Sequence, residues 1–599
     1  MKQFRNWFVL GLASLTFLAP LKFATPAMLQ AHIPPPTDLA EWLFFAWPNE
    51  LAVILTFGGF VWLVLDPQRM LARVDLLFVL PLIFLLTQVL AAPTSICRQT
   101  TIDTLLLFAA ATLLFYVGSW YVRDGAATAR IFGSLALATL LVCVLALQQH
   151  FGGLEESRNY AAMYVEASKA PKGFLLKITS NRVFGSFIYP NSLAGFLVIA
   201  FAPTLVWLGV RTRGWLRSVK WLALFLSALA MVFCLVLTGS RGGFVAFAAM
   251  ALASLWCSFP RVGRRSAITL LGAVVALALI FGWAQRRGFL RLGTESLAAR
   301  ADYWRGAIAI AKDHPWVGTG PGTFGSIYPK YKTATTEEAQ AVHNNFLQIW
   351  SDSGTLALVA YALLWMIAVW DSFRLARRRK GDAASMAICG ALVGWTIHGF
   401  VDFDLYVPGL VLPAFALLGA MQGLKELPKT DTVPSPRRAN WVVAVGCVVL
   451  AVAVVWDQGR ALAAGSAYAR AQELRQIDPF AALADAERAV ELAPWNPGYK
   501  TVLSQIELRT GNVEKAMSTL RQAIADDPYR SSGWWHLAQA RKTVYGPDAE
   551  TIRILQRAVE LNPTEATYRN ALADAEKSVR QAPTTLLESN PTKGSEFTP

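Results

Sequence analysis

The chain has 599 residues, 54% of them hydrophobic and 16% charged, against about 45–50% apolar and about 25% charged in a soluble domain. That balance excludes a soluble enzyme, a disordered chain and a disulfide-framework protein. The formal charge of +15 does not point to nucleic acid: after Gln458 the 17 basic and 17 acidic residues cancel, so the excess lies in the apolar part, where the question is which side of a membrane it marks.

Thirteen apolar runs are long enough to cross a bilayer as helices: residues 6–25, 42–65, 76–92, 102–122, 131–150, 191–210, 221–238, 243–259, 267–284, 346–370, 384–401, 408–424 and 441–456. The first follows Lys2 and Arg5 with no small-residue cleavage site, so it reads as a retained helix. Pro48, Asn49 and Glu50 interrupt the second, and several others are short, so the count is twelve or thirteen. Six cysteines are scattered without a C-x-x-C, which supports neither a zinc site nor a disulfide framework. No cofactor or metal is expected.

Alternate connections are short and basic, such as Arg211, Arg213, Arg217 and Lys220, or Arg374, Arg377, Arg378 and Arg379. Positive charge in short loops stays cytoplasmic. The N-terminus is therefore expected inside and the chain beyond the thirteenth span outside. This divides the protein into a transmembrane domain (1–425) with long outward loops at 151–190 and 285–345, a cytoplasmic linker (426–440) and a final span (441–456).

The second outward loop breaks the pattern with Arg286, Arg287, Arg291, Arg300, Arg305 and Lys312. Such a loop either lies on anionic headgroups or lines an anion-binding pocket. Three further segments face the same side. Gly239-Ser240-Arg241-Gly242-Gly243 is either a plain helix–helix turn with a snorkelling arginine or a place where Arg241 meets a phosphate. Arg300 and Trp304, four apart, share one face of a short amphipathic helix, which the turn Gly318-Thr319-Gly320-Pro321-Gly322 ends. That turn lacks the strand and helix of a nucleotide loop. His343, at the start of the tenth span, is either a hydrogen-bonded structural residue or a base poised near neutral pH. Asn344, Gln348 and Asp352 follow it at helical spacing. Asp402-Phe403-Asp404, a D-x-D after His398, would face outward, away from nucleotide sugars, and is read as structural.

Beyond the last span the composition turns soluble, with prolines at 494, 528 and 563 closing three similar segments. Gly511, Ala516, Leu520, Ala523 and Pro528 fall where a 34-residue helix-turn-helix repeat needs a turn, small packed residues and a stop. Residues 465–580 resemble tetratricopeptide repeats, expected in the periplasm with a protein partner, and 582–599 read as a disordered tail.

The order of the membrane-side pieces resembles the O-antigen ligase and polymerase superfamily of bacterial inner membranes. They are the Arg182-x-x-Gly185-x-x-x-x-Pro190-Asn191 element, the Arg241 turn, the Arg300-x-x-x-Trp304 helix with the glycine turn after it, and the segment from His343 to Gly354. Asp352 stands where that family more often has Glu. The resemblance covers roughly residues 6–424. It implies an all-α polytopic membrane fold of the GT-C kind and a metal-independent glycosyltransferase. The donor would be a glycan on undecaprenyl pyrophosphate. The acceptor would be lipid A-core, another glycan or a protein, making the enzyme a ligase, a polymerase or a protein O-oligosaccharyltransferase. Arg241 and Arg300 would bind the pyrophosphate and His343 would serve as base, with Arg182, Arg305, Asn344 and Gln348 as further substrate contacts. A polytopic transporter or flippase is the rival class, against which the polar residues gather in outward loops and no inverted repeat of broken helices is evident.

Overall fold

The computed structural model describes residues 2–32, 36, 38–60, 75–155, 181–258, 293–333, 338–379, 381–425 and 441–581. It is all-α: helices are joined by turns and short 3-10 segments, with no strand among the described residues. The membrane part comprises α1 (Lys2–Lys22), α2 (Leu39–Phe44), α3 (Asn49–Phe60), α4 (Leu76–Ala91), α5 (Arg98–Tyr121) and α6 (Gly125–Gln148). It continues through α7 (Pro190–Arg211), α8 (Arg217–Thr238), α9 (Arg241–Ser258), α10 (Gly293–Asp313), α11 (Asn345–Arg378), α12 (Ala383–His398) and α13 (Pro408–Leu424).

Seven helices among the described residues have the length and apolarity to cross a membrane, and α9, α12 and α13 are shorter apolar helices. The expected span 267–284 lies outside the described residues, as do the linker 426–440 and the tail 582–599. The expected span 42–65 is broken. Its helix stops at Phe44, Lys22 Nζ donates to the carbonyls of Trp42, Leu43 and Phe45, and a new helix starts at Asn49 after Pro48. A proline cannot donate its backbone nitrogen and restricts the residue before it.

All seventeen residues of α13 are buried, and α5 lies along it. The contact runs through glycines. A Cβ on Gly419 would stand 2.3 Å from the Phe115 carbonyl, and one on Gly118 would stand 2.9 Å from Gly419. Small residues let membrane helices approach backbone to backbone. Around this axis α1 packs on α6, α7 on α6 and α12, α9 on α12, and α4 on α11.

Several connections between helices meet at one face. Ile96 N donates to Thr319 O at 3.0 Å, Val183 N to Leu237 O at 3.3 Å, Asn345 N to Gly399 O at 2.7 Å and Gly409 N to Phe23 O at 2.6 Å.

The final span does not stop at residue 456. Helix α14 (Trp441–Leu474) runs on into the soluble part, because Ala461, Leu462, Ala463 and Ala464 are good helix formers and no proline interrupts them. After it come α15 (Pro479–Leu492), α16 (Pro497–Arg509), α17 (Val513–Asp526), α18 (Ser531–Tyr545), α19 (Ala549–Leu561) and α20 (Ala566–Gln581), each packed on the next. Asp478, Asn496 and Asp548 cap α15, α16 and α19 through their side chains.

Candidate functional site

The site is assembled at this face from five separate stretches of chain. The first is the turn before α7. Arg182 donates through Nε to the Thr238 carbonyl at 2.6 Å and through Nη2 to Asn191 Oδ1 at 2.8 Å. The element from Arg182 to Asn191 is thus closed on itself and laid on the end of α8.

Gly239, at φ 58°, then reverses the chain from α8 into α9, whose first residue is Arg241. This is a left-handed conformation that glycine adopts without steric penalty. The turn is packed tightly: a Cβ on Gly242 would meet Val401 at 2.4 Å and one on Gly243 would meet Ala194 at 2.6 Å. Arg241 is therefore brought next to the 399–407 loop.

Helix α10 carries Arg300, half-buried. Arg300 lies close enough to Arg182 and Asp402 for its charge to bear on both. The Arg182 guanidinium is pushed down to about 10, by burial first and by Arg300 second, with Asp402 opposing. Two arginines held this close repel each other until an anion comes between them.

The 399–407 loop and the start of α11 complete the site. His343 Nδ1 lies 3.0 Å from Asp402 Oδ1, and Asp402 also accepts from Phe403 N at 3.0 Å. Burial opposes ionisation of Asp402. The hydrogen bond and charge of His343, with His398 and Arg300 behind them, nevertheless hold its carboxyl well below the usual range. The His343 ring stacks on Tyr303 (centroids 5.9 Å, 23°) and meets the edge of Phe403 (4.7 Å, 70°). Among the described residues His343 is the only non-glycine with positive φ, 55°. Such backbone persists only where the surroundings enforce it.

Asp402, read from the sequence as structural, is the hydrogen-bond partner of His343. No sequence signal joins the two, which are 59 residues apart. The second carboxylate, Asp404, faces His398 Nδ1 at 2.6 Å, both groups buried. His398, Asp402 and Asp404 each offer an atom within 4.8 Å of the others, the spacing of a metal donor set. Each carboxylate already holds an imidazole, and Arg182 and Arg300 add positive charge that a cation would oppose.

Three residues expected to touch substrate also bond within the protein. Gln348 is fully buried and spans Val342 N (2.7 Å) and Asp352 Oδ2 (2.8 Å), so both ends of its amide serve the protein. Asn344 caps α11 by accepting from Phe346 N and Leu347 N. Arg305, mostly exposed, pairs with Asp302, which also accepts from the Tyr328 hydroxyl at 2.7 Å.

The glycine turn has a definite task. Gly318, Gly320 and Gly322 all have positive φ, which aims their segment's amides at one carboxylate. Gly322 N and Phe324 N donate to Asp352 at 3.0 and 2.9 Å, and Gly320 N donates to the Asp352 carbonyl at 2.8 Å. The nest holds a side chain of the protein, and with Gln348 and Tyr406 it locks the loop to α11 directly behind His343.

Residues 226–362 match the model of the O-antigen ligase family. The chain is also 25% identical over 219 residues to the teichuronic acid biosynthesis protein TuaE of Bacillus subtilis (strain 168). That alignment covers 34% of this chain and 44% of the relative, less than half its length. The family match spans Arg241, Arg300 and His343, while Arg182 and Asp402 lie outside it. The likeness to the O-antigen ligase and polymerase superfamily rests on this segment.

Proposed function

We propose that the protein transfers a glycan from an undecaprenyl-pyrophosphate carrier to an acceptor hydroxyl at the periplasmic face of the inner membrane. The observation that carries this reading is the His343–Asp402 pair within electrostatic reach of Arg300 and Arg182. A pyrophosphate donor is anionic, and arginines bind it by charge-assisted, often bidentate, hydrogen bonds. Arg241 and Arg300 hold it, and Arg182, braced on Asn191, adds charge behind them.

In the transfer, the acceptor oxygen attacks the anomeric carbon with inversion as its proton passes to His343 Nε2. The bond from that carbon to the pyrophosphate breaks, its electron pair leaves on the phosphate oxygen, and the arginines stabilise the growing charge. Asp402 fixes the imidazole through Nδ1 and steadies the imidazolium, the task of the aspartate in a Ser-His-Asp triad. Asn344, Gln348 and Asp352 position this group, and Tyr303 and Phe403 wall it. The scheme uses no cofactor.

The superfamily leaves ligation and polymerisation open. The relative's part in teichuronic acid biosynthesis favours surface-polysaccharide assembly as the setting and keeps chain extension as the second reading. The test is transfer in proteoliposomes from a defined undecaprenyl-pyrophosphate glycan to lipid A-core, to a second carrier-linked unit and to a peptide. Product on one acceptor, lost in His343→Ala, is expected. Equal transfer by that variant removes His343 from the scheme. The C-terminal helices are proposed to be periplasmic and of tetratricopeptide type.

A further inference from the structure

We infer that the C-terminal helices are part of the active-site scaffold: the edge formed by Asp527, Tyr529 and Asn562 clamps the loop that holds His343. The inference rests on the reading of His343 as the base.

The loop between the glycine turn and α11 has a small core of its own. Ala307 and Ile310 of α10, Phe324, Ile327 and Tyr328 after the turn, and Ala339 and Val342 just before His343 pack together, with Tyr303 at the rim. Tyr303 is the ring stacked on His343. Tyr529, from the turn between α17 and α18, joins this core. One aromatic side chain of the C-terminal part thus packs against the same core as Tyr303.

Polar contacts flank it. Ser326 Oγ donates to Asp527 Oδ2 at 2.9 Å, and Asp527, buried, is held from its own side by Arg530 Nε at 3.0 Å. Asn562, also buried, donates through Nδ2 to Glu338 Oε1 at 2.7 Å. Glu338 stands five residues before His343. Helix α19 packs on the Tyr328–Lys330 turn, and farther out the Arg98 guanidinium sits 4.0 Å over the Trp495 ring.

The left-handed backbone of His343 explains why such bracing is needed. A strained residue keeps its conformation only when the structure on both sides over-determines it. On the α11 side Asn344, Asn345 and the Asp352 nest supply this. On the other side the 338–342 segment has its anchor in Asn562 and the core that Tyr529 completes. Tyr529 and Asn562 are therefore positioning residues, acting on the reaction through His343.

The experiment uses the full chain in nanodiscs carrying Tyr529→Ala, Asn562→Ala or both, with Tyr529→Phe as the conservative variant. Arg488→Ala, which breaks an exposed pair with Glu491, is the control. Hydrogen exchange across residues 338–344 and transfer kinetics are read together. Faster exchange confined to that segment is expected, with kcat down by ~10- to 100-fold, the scale of a small misplacement of a catalytic group, and donor KM nearly unchanged. Tyr529→Phe and the control should match wild type. Unchanged exchange in the folded double variant overturns the clamp. Should the double variant fail to fold, Ser326→Ala and Asn562→Gln carry the same comparison. If exchange rises while transfer persists in these variants and in His343→Ala, the clamp stands and the base assignment falls.

Discussion

His343 Nδ1 meets Asp402 Oδ1 at 3.0 Å, with Asp402 buried and His343 at the edge of solvent. One ring nitrogen is thereby committed to a carboxylate, and in the proposed reaction the other takes the acceptor's proton. Asp402→Asn keeps the shape of this contact but removes the charge and favours the wrong tautomer. Transfer should fall by about 10²–10⁴-fold, the range a general base supplies, with donor KM little changed. A loss below threefold in a steady-state assay would detach Asp402 from the chemistry.

The same carboxylate sets a pH expectation. Its folded value is depressed below the ordinary carboxylate value of about 3.9. Its stabilising contribution is therefore fully present above about 3.9 and fades only as pH falls through the lower folded value. The gap in thermal stability between wild type and Asp402→Asn should be the same at about pH 7 and about pH 5 as far as this group decides it. A gap that closes over that window would show Asp402 taking up a proton well above its ordinary range, against the depressed value.

Arg300 and Arg182 share one field, so their contributions to anion binding should couple. Arg300→Lys keeps the charge but loses the planar fork, and Arg300→Ala loses both. With inorganic pyrophosphate as probe, calorimetry should show affinity falling by ~10-fold for Lys and ~100-fold for Ala, the worth of one or two charge-assisted hydrogen bonds. Equal affinity in all three proteins would place the anion elsewhere.

Packing yields a fourth expectation. Gly419→Ala drives a methyl into the Phe115 carbonyl, whereas a Cβ on Gly58 in α3 meets nothing within 4 Å. The first should destabilise by about 1–3 kcal/mol. The second should be neutral or stabilising by about 0.5–1 kcal/mol, because alanine loses less backbone freedom than glycine in a helix. Thermal unfolding of the two variants side by side is the measurement, and the reverse order would refute the close α5–α13 contact.

The nest around Asp352 gives the last. Asp352→Ala leaves the amides of Gly322 and Phe324 and the Gln348 side chain without their acceptor, at about 1–3 kcal/mol for each buried group. Asp352→Glu keeps the carboxyl with one more methylene. The alanine variant should unfold at markedly lower temperature than the glutamate variant, and both should bind pyrophosphate if they fold.

Apolar runs and turn residues made most helices legible, since hydrophobic length and glycine or proline punctuation act locally. Arg182, Arg241, Arg300 and His343 stood out as cations and a titratable ring at membrane boundaries that the charge pattern places outward. The Asp402 contact was illegible because it joins residues 59 apart through a loop with no periodicity. Gln348 misled for a related reason: helical spacing puts it on a polar face, but that face turns inward to Val342 and Asp352. The glycine turn lacks the strand and helix of a nucleotide loop, and its amides meet the Asp352 carboxyl instead.

Helix α14 leaves the apolar part and becomes the first helix of the C-terminal part without interruption. At 1.5 Å per residue its 34 residues make a rod of about 51 Å. A domain on a flexible tether explores a volume and meets its binding surface with an effective concentration set by linker length. A domain on a rod has one address. Its distance from the membrane plane is fixed, and any tilt of the embedded half swings the outer half as a lever.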